Sequence, residues 1–428
     1  MSKQRSARRI LSPAILVWAV LAGVLNAVVW HGHQQTDDWS SLWIAGLIAH
    51  GGDSASLYEI DLVDFARWSG PVWERYTAMV DGATPHPFIH LPIVAYALGA
   101  LSTVMTYPVS VTVLTFLQGF CLVVLVASAY FLWWRRTAAP SLVVPLSLAV
   151  WLSPAAQMSS HIGQTSPLIF AGITYGLAAA RIRPGLAGII LGIVGAIKLT
   201  PLALLLPLVL YPSTRRAAAW MGASASAMFV GSLAGGLGVI AEWARTVRWI
   251  GSSAVVDSVN QAFSAVVLLH TRELPQGVFA PILRDIPLWV EWTPKLIAVL
   301  LGIGLCWAAW LRPRYGFEIL SIGGLAVATL ASNILWTHYM LIAVPIIAGL
   351  VALTRPWTQP IYRVIAVLSA LCVVAFYPPL APSVGFTGNG FTVIWSSMVG
   401  LLVITVLLIC GGLAGPPKVS GGKHRVSR

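Results

Sequence analysis

The sequence predicts an all-α polytopic membrane protein: about 12 transmembrane helices, a re-entrant segment and two polar outer loops. Three observations predict it. The 428-residue chain is 57% hydrophobic and 9% charged, whereas a soluble domain carries about a quarter charged residues. Its apolar residues fall in long runs, many near the roughly 20 residues a spanning helix needs. Its charges are also sorted. Of 14 acidic residues, eight lie between Asp37 and Asp81, five between Glu242 and Glu291, and the last is Glu318.

Taken in order, the apolar runs lie near 12–30, 88–105, 107–134, 140–157, 166–180, 185–198, 200–212, 217–241, 294–311, 316–334, 337–353, 360–377 and 391–412. The first follows Lys3, Arg5, Arg8 and Arg9 and leads into Val29-Trp30-His31-Gly32. No small-x-small cleavage site follows it, so it reads as an uncleaved anchor. Strict alternation through 13 runs puts Arg135/Arg136 and Arg181/Arg183 outside, against the positive-inside rule. If the proline-flanked run 88–105 instead dips in and returns, twelve crossings remain and both termini are cytoplasmic. Eighteen basic residues then lie inside and seven in the outer loops, while 13 of the 14 acids lie outside. The net charge of +12 therefore reads as a positive-inside signal and contact with anionic lipid, with no nucleic-acid partner.

On this threading the whole chain, 1–428, is one integral membrane domain. Its outer loops are 31–87 and 242–293, and the tail 413–428 is basic and cytoplasmic. The loops carry Tyr58, Trp68, Trp73 and Tyr76 in one and Trp243, Trp249, Trp289 and Trp292 in the other, aromatics suited to a membrane interface. Cys121, Cys306, Cys372 and Cys410 all sit in apolar runs, which gives neither a disulfide framework nor metal-ligand spacing. Pro201 breaks the stretch Lys198-Leu199-Thr200-Pro201, because proline removes a helix hydrogen bond. Two short half-helices there suggest backbone lining a polar cavity.

The polar groups at these places carry competing readings. Asp37-Asp38 can be a solvated loop start, a general base or a metal-ligand pair; adjacent like charges raise one pKa toward the range of a useful base. Lys198 is flanked by apolar residues, so its ammonium either snorkels or holds an anionic ligand such as phosphate. The stretch His161-Ile162-Gly163-Gln164-Thr165-Ser166-Pro167 is a polar turn between runs. Asn260-Gln261, in the second outer loop, reads on its own as a helix cap, and His338 in Trp336-Thr337-His338-Tyr339 as an interface residue or an acid. His86 and His90 bracket the re-entrant run with the same ambiguity. The threading places them all on one side.

Together these pieces resemble a known family. Asp38-x3-Leu42-x2-Ala45-Gly46, Gly51-Gly52, Leu57-Tyr58-Glu59, Gly163-Gln164, Ala196-Ile197-Lys198-Leu199-Thr200-Pro201, Asn260-Gln261 and Trp336-Thr337-His338 follow the order of glycosyltransferase family 87. These are membrane transferases of the GT-C fold that use polyprenyl-phosphate sugars; one extends phosphatidylinositol mannosides. The lysine-leucine-threonine-proline and tryptophan-threonine-histidine pieces are the most specific. The chain departs at His86-Pro87-Phe88 and His90-Leu91-Pro92, where the family carries tyrosine-proline-proline, at Ala262 after Asn260-Gln261, and at Tyr339, where a second histidine is common.

The resemblance implies transfer of a sugar, mannose or arabinofuranose first, from polyprenyl phosphate to a glycolipid or polysaccharide acceptor at the outer face of a cell membrane. Asp38 is then the base of an inverting displacement and Lys198 and His338 hold the phosphate. Gln164 and Asn260 bond sugar hydroxyls, His90 lines the cavity, and Asp37 is the second candidate base. No metal and no cofactor is expected. The same spans also suit a flippase of lipid-linked sugars or a non-catalytic envelope scaffold.

Overall fold

The computed structural model describes residues 9–257, 259–353, 360–374 and 390–413. Lys3, Arg5, Arg8 and Arg355, and the tail from residue 414 with Lys418, Lys423, Arg425 and Arg428, lie outside the described residues. The fold is helical throughout, with one small sheet.

Proline sets the helix starts. Pro13, Pro71, Pro92, Pro140, Pro154 and Pro184 each open a helix, where a missing N–H leaves no bond unmade and φ is preset. Frequent starts make short helices. Among the described residues, four helices are long and apolar enough to cross a membrane: Pro13–Trp30, Tyr107–Trp134, Pro212–Gly235 and Leu288–Leu311. A fifth crossing results if Pro140–Trp151 and Pro154–His161, bent by 63°, count as one. The other apolar helices have 10–17 residues, fewer than a straight crossing needs. Among the described residues, breaks at Pro and Gly divide several of the predicted runs into shorter helices.

Leu288–Leu311 carries the imprint of a bilayer. Trp289 and Trp292 near one end and Trp307 and Trp310 near the other are all exposed. The two pairs are about 18 residues apart, about 27 Å along a helix, close to the hydrocarbon thickness that interfacial tryptophans bracket. The 28-residue helix Tyr107–Trp134 is the central post, and Pro13–Trp30, Ser166–Ala179 and Ala343–Leu353 pack against it.

At one end of this post the exception to the charge sorting finds its reason. Glu318 is fully buried, and its Oε1 accepts hydrogen bonds from Arg135 Nη2 at 2.6 Å and Arg181 Nη1 at 2.7 Å. The lone acid among basic clusters ties three segments together.

The segments read as loops are structured. Residues 31–87 contain the helix Asp37–His50, which packs on Pro92–Ser102 where Gly46 meets Gly99. A Cβ on Gly46 would sit 2.8 Å from Gly99 N, so only glycine allows this crossing. Pro92–Ser102 has 11 residues, about 16 Å, too short to cross a bilayer alone. The run expected to reach 241 ends earlier, because Gly236 at φ +87° turns the chain into a separate helix, Leu237–Gly251.

The two polar segments then join. Ala254–Val255 pairs antiparallel with Ile282–Leu283, and the first segment adds to this sheet: Ile282 N donates to Val63 O and Phe65 N to Ala280 O. Buried Asp64 accepts from Phe279 N at 3.0 Å and Ala280 N at 2.9 Å. Segments bonded in this way lie at the same end of the molecule.

Candidate active site

The site begins at the N-terminus of Asp37–His50. Thr36 precedes it in the left-handed region at φ 56°, so its own side chain makes no cap. The turn after Pro154–His161 supplies the acceptors instead: Gln35 N and Thr36 N donate to His161 O, and Asp38 N to Ile162 O at 2.9 Å. Gly163 makes this docking possible. It sits at φ +70°, and a Cβ there would lie 2.7 Å from Trp39 Cβ. Gln118 on the central post fixes the turn by donating to Ser159 O and Gln164 O, both at 2.8 Å. The polar turn is thus the socket that holds the aspartates.

The two aspartates part company. Asp37 accepts from the Thr84 hydroxyl. Asp38 turns inward and pairs with His86 Nε2. Burial alone would raise the Asp38 pKa, but His86, with His338 and Lys198 beyond it, outweighs burial and brings it down to about 2. This corrects the expectation that a neighbouring carboxylate sets the pKa: the groups facing Asp38 are cationic or basic. At His86, burial disfavours the charged ring, yet the Asp38 carboxylate wins and raises its pKa.

Lys198 lies at the break the sequence predicts. The helix Pro184–Ile197 ends there, Lys198 itself is extended, and a 3₁₀ turn begins at Thr200. The described partners of its ammonium are neutral: Gln164 Oε1 at 3.4 Å, Ser166 Oγ at 3.3 Å and the face of Tyr339, 4.4 Å from the ring centre. His90 Nδ1 donates to Ile197 O at 2.8 Å, which brings the start of Pro92–Ser102 to the same break.

His338 is the second residue of the 3₁₀ turn Thr337–Ile342. It is buried, and its Nε2 has no hydrogen-bond partner. Asn260-Gln261 sets its position. Both Asn260 N–H bonds go to backbone carbonyls, of Val255 at 2.7 Å and Asn333 at 3.2 Å. Its Oδ1 accepts from Ala262 N and Leu335 N at 3.1 and 2.8 Å. Two donors and two lone pairs are the whole capacity of a carboxamide, so Asn260 has nothing left for a sugar. Gln261 Nε2 reaches Thr337 Oγ1 at 3.1 Å, beside His338.

Asp38, His90, Gln164, Lys198 and His338, scattered over 301 positions of sequence, therefore form one polar cluster, with Asp37 at its edge and Asn260 behind it. A half-buried lysine whose described partners are all neutral and a buried histidine nitrogen without a hydrogen-bond partner, beside a carboxylate, make a place for an anion and for proton removal. Among the described residues no three His, Cys, Asp or Glu side chains are arranged to hold a metal ion.

Residues 88–333 match the model of glycosyltransferase family 87. The chain belongs to glycosyltransferase family 87. It is a membrane glycosyltransferase, moving a sugar from a donor to an acceptor. Comparison with curated proteins finds no match. The matched stretch contains His90, Gln164, Lys198 and Asn260; folding adds Asp38 from before it and His338 from after it. Two residues in the transferase's cluster, Ser166 and Tyr339, were not singled out as site candidates in the sequence, and His86 was weighed there as an interface residue or an acid but given no role. Ser166 and Tyr339 adjoin motifs that were read, and His86 stands where the family pattern departs.

Proposed function

We propose that this transferase takes a sugar, mannose or arabinofuranose, from a polyprenyl phosphate and delivers it to a hydroxyl of a glycolipid or glycan at the outer face of a cell membrane. The observation that carries the reading is the meeting of the Asp38 carboxylate with the Lys198 ammonium and the free Nε2 of His338 in one half-buried cluster. Asp38 accepts the acceptor hydroxyl proton as the new C1–O bond forms. The bond from C1 to the phosphate oxygen breaks, and the phosphate leaves as a stable anion held by Lys198 and His338. Attack opposite the leaving group inverts C1. Gln164 and His90 line the sugar site, with Asp37 near the acceptor, and Asn260 holds the His338 turn. No step of this scheme calls on a cofactor.

The donor's lipid lies in the bilayer beside the cluster. The whole chain acts as one domain, crossing the membrane repeatedly with both termini cytoplasmic. The bonds between its two polar segments support placing both on the active face.

Release of free polyprenyl phosphate by the purified protein in detergent tests this, across a panel of polyprenyl-phosphate sugars with lipid extract as acceptor. Release from one donor, lost in Asp38→Asn, is the expected result and names the sugar. No release from any donor by folded protein overturns the polyprenyl-phosphate reading. Equal release by both proteins removes Asp38 from the base role.

A further inference from the structure

The pairing of Asp38 with His86 raises the question of which one takes the proton. His86 Nε2 is committed to Asp38 Oδ1, and Nδ1 lies 3.0 Å from the carbonyl oxygen of Pro87. A ring with a carbonyl on one nitrogen and a carboxylate on the other offers two donors and no free lone pair. It therefore has no nitrogen left to accept a proton from substrate. Asp38 has a second oxygen, which His86 does not hold.

The ring is also fixed in place. His86 N donates to Ser41 Oγ at 2.7 Å, which ties it to the same helix that carries Asp38. Its face stacks on Phe65 at 6.1 Å between ring centres, 22° from parallel, and Phe65 N is bonded to Ala280 O in the other polar segment. The junction of the two segments thus supports the histidine that supports the aspartate.

From this geometry we infer that His86 is a positioning residue: its imidazolium grips one oxygen of Asp38 and aims the other at the acceptor hydroxyl. The inference rests on Asp38 being the base. The grip keeps the carboxylate ionised in a buried site, so the base is ready at every working pH. It also turns the carboxylate so that one oxygen is the only proton acceptor. The other titratable or charged groups around the pair are Asp37 on the same helix, His90 before the next, Lys198 at the helix break, and His338 with Tyr339 in the 3₁₀ turn. None of these hydrogen-bonds Asp38 among the described contacts.

Two variants separate the grip from the charge. His86→Phe keeps the stack on Phe65 and loses both nitrogens; His86→Gln keeps a donor and loses the positive charge. Release of polyprenyl phosphate is measured against pH, with Asp38→Asn alongside and folding checked by thermal unfolding. Base catalysis contributes roughly 10²–10⁴-fold, so kcat is expected to fall about 100-fold in His86→Phe and about 10-fold in His86→Gln, with donor KM within about twofold. The acid limb of the profile moves up in both variants, by about 2 pH units, because burial then acts on Asp38 without its main counter-charge. Wild type stays active well below that limb.

Profiles that superpose on wild type overturn the role of His86, even where kcat has dropped. A raised KM with an unmoved acid limb also overturns it and makes His86 a substrate contact. Should His86→Phe not fold, the acid limb of His86→Gln decides alone. Full activity in Asp38→Asn is a different failure, since it removes the base reading itself.

Discussion

Asn260→Ala separates two uses of one side chain, contact with a sugar or support of the fold. The side chain is fully buried and makes four hydrogen bonds, to the backbone of Val255, Asn333, Ala262 and Leu335. Alanine removes all four and leaves two buried carbonyls and two buried N–H groups to find other partners. At roughly 1 kcal/mol for each bond, the loss is about 4 kcal/mol. Unfolding entropy of roughly 2.1 cal/mol/K per residue gives about 0.9 kcal/mol/K for a chain of this length, so Tm falls by about 4–5 °C. The measurement is thermal unfolding in detergent, followed by tryptophan fluorescence. Because the bond to Leu335 N precedes His338 by three residues, kcat for sugar transfer falls as well. A Tm within about 1 °C of wild type, together with a raised KM for donor or acceptor, refutes the reasoning and returns Asn260 to the sugar.

Glu318→Gln breaks the buried triad with Arg135 and Arg181 and leaves two guanidinium groups facing a neutral amide. Loss of one partner from a buried ion pair costs about 3 kcal/mol or more, so Tm drops by about 3 °C with donor KM unchanged; an unaltered Tm would show that the triad contributes no net stability. Lys198→Met removes the unpaired ammonium at the helix break. Folded protein is expected to lose roughly 10²–10³-fold in kcat/KM for the donor, with partial recovery in Lys198→Arg; a loss under about threefold takes the phosphate away from Lys198.

Several parts of this site were legible in the sequence because they depend on local chemistry. A lysine before Leu-Thr-Pro in an apolar run announces a broken helix, and the chain breaks at Lys198. The stretch 161–167 was legible as a polar turn between runs, and the chain turns there with Gly163 at φ +70°. The sorting of acids marked two polar segments that prove to be bonded to each other.

Other parts were beyond its reach. Asp37 and Asp38 are equivalent as neighbours in a string, and only the positions of Thr84 and His86 make one an edge residue and the other central. Asn260 reads as a helix cap, or by resemblance as a sugar contact, until the four backbone groups that saturate it are in place. Glu318 breaks a pattern on the page and completes a triad in the fold.

The sequence by itself determined that this is a helical membrane protein of glycosyltransferase family 87, that its chain breaks at Lys198-Leu199-Thr200-Pro201, and which residue types are out of place in apolar surroundings. Composition, proline and glycine act over a few residues, so they can be read in a line. Only the tertiary structure decided which of those residues meet. Asp38 and His86 are separated by 48 positions and Asp38 and Lys198 by 160, and no local preference of the backbone specifies a contact at that range. It is set by where glycines such as Gly46 and Gly99 let helices approach and where a turn such as 161–164 finds N–H groups to accept.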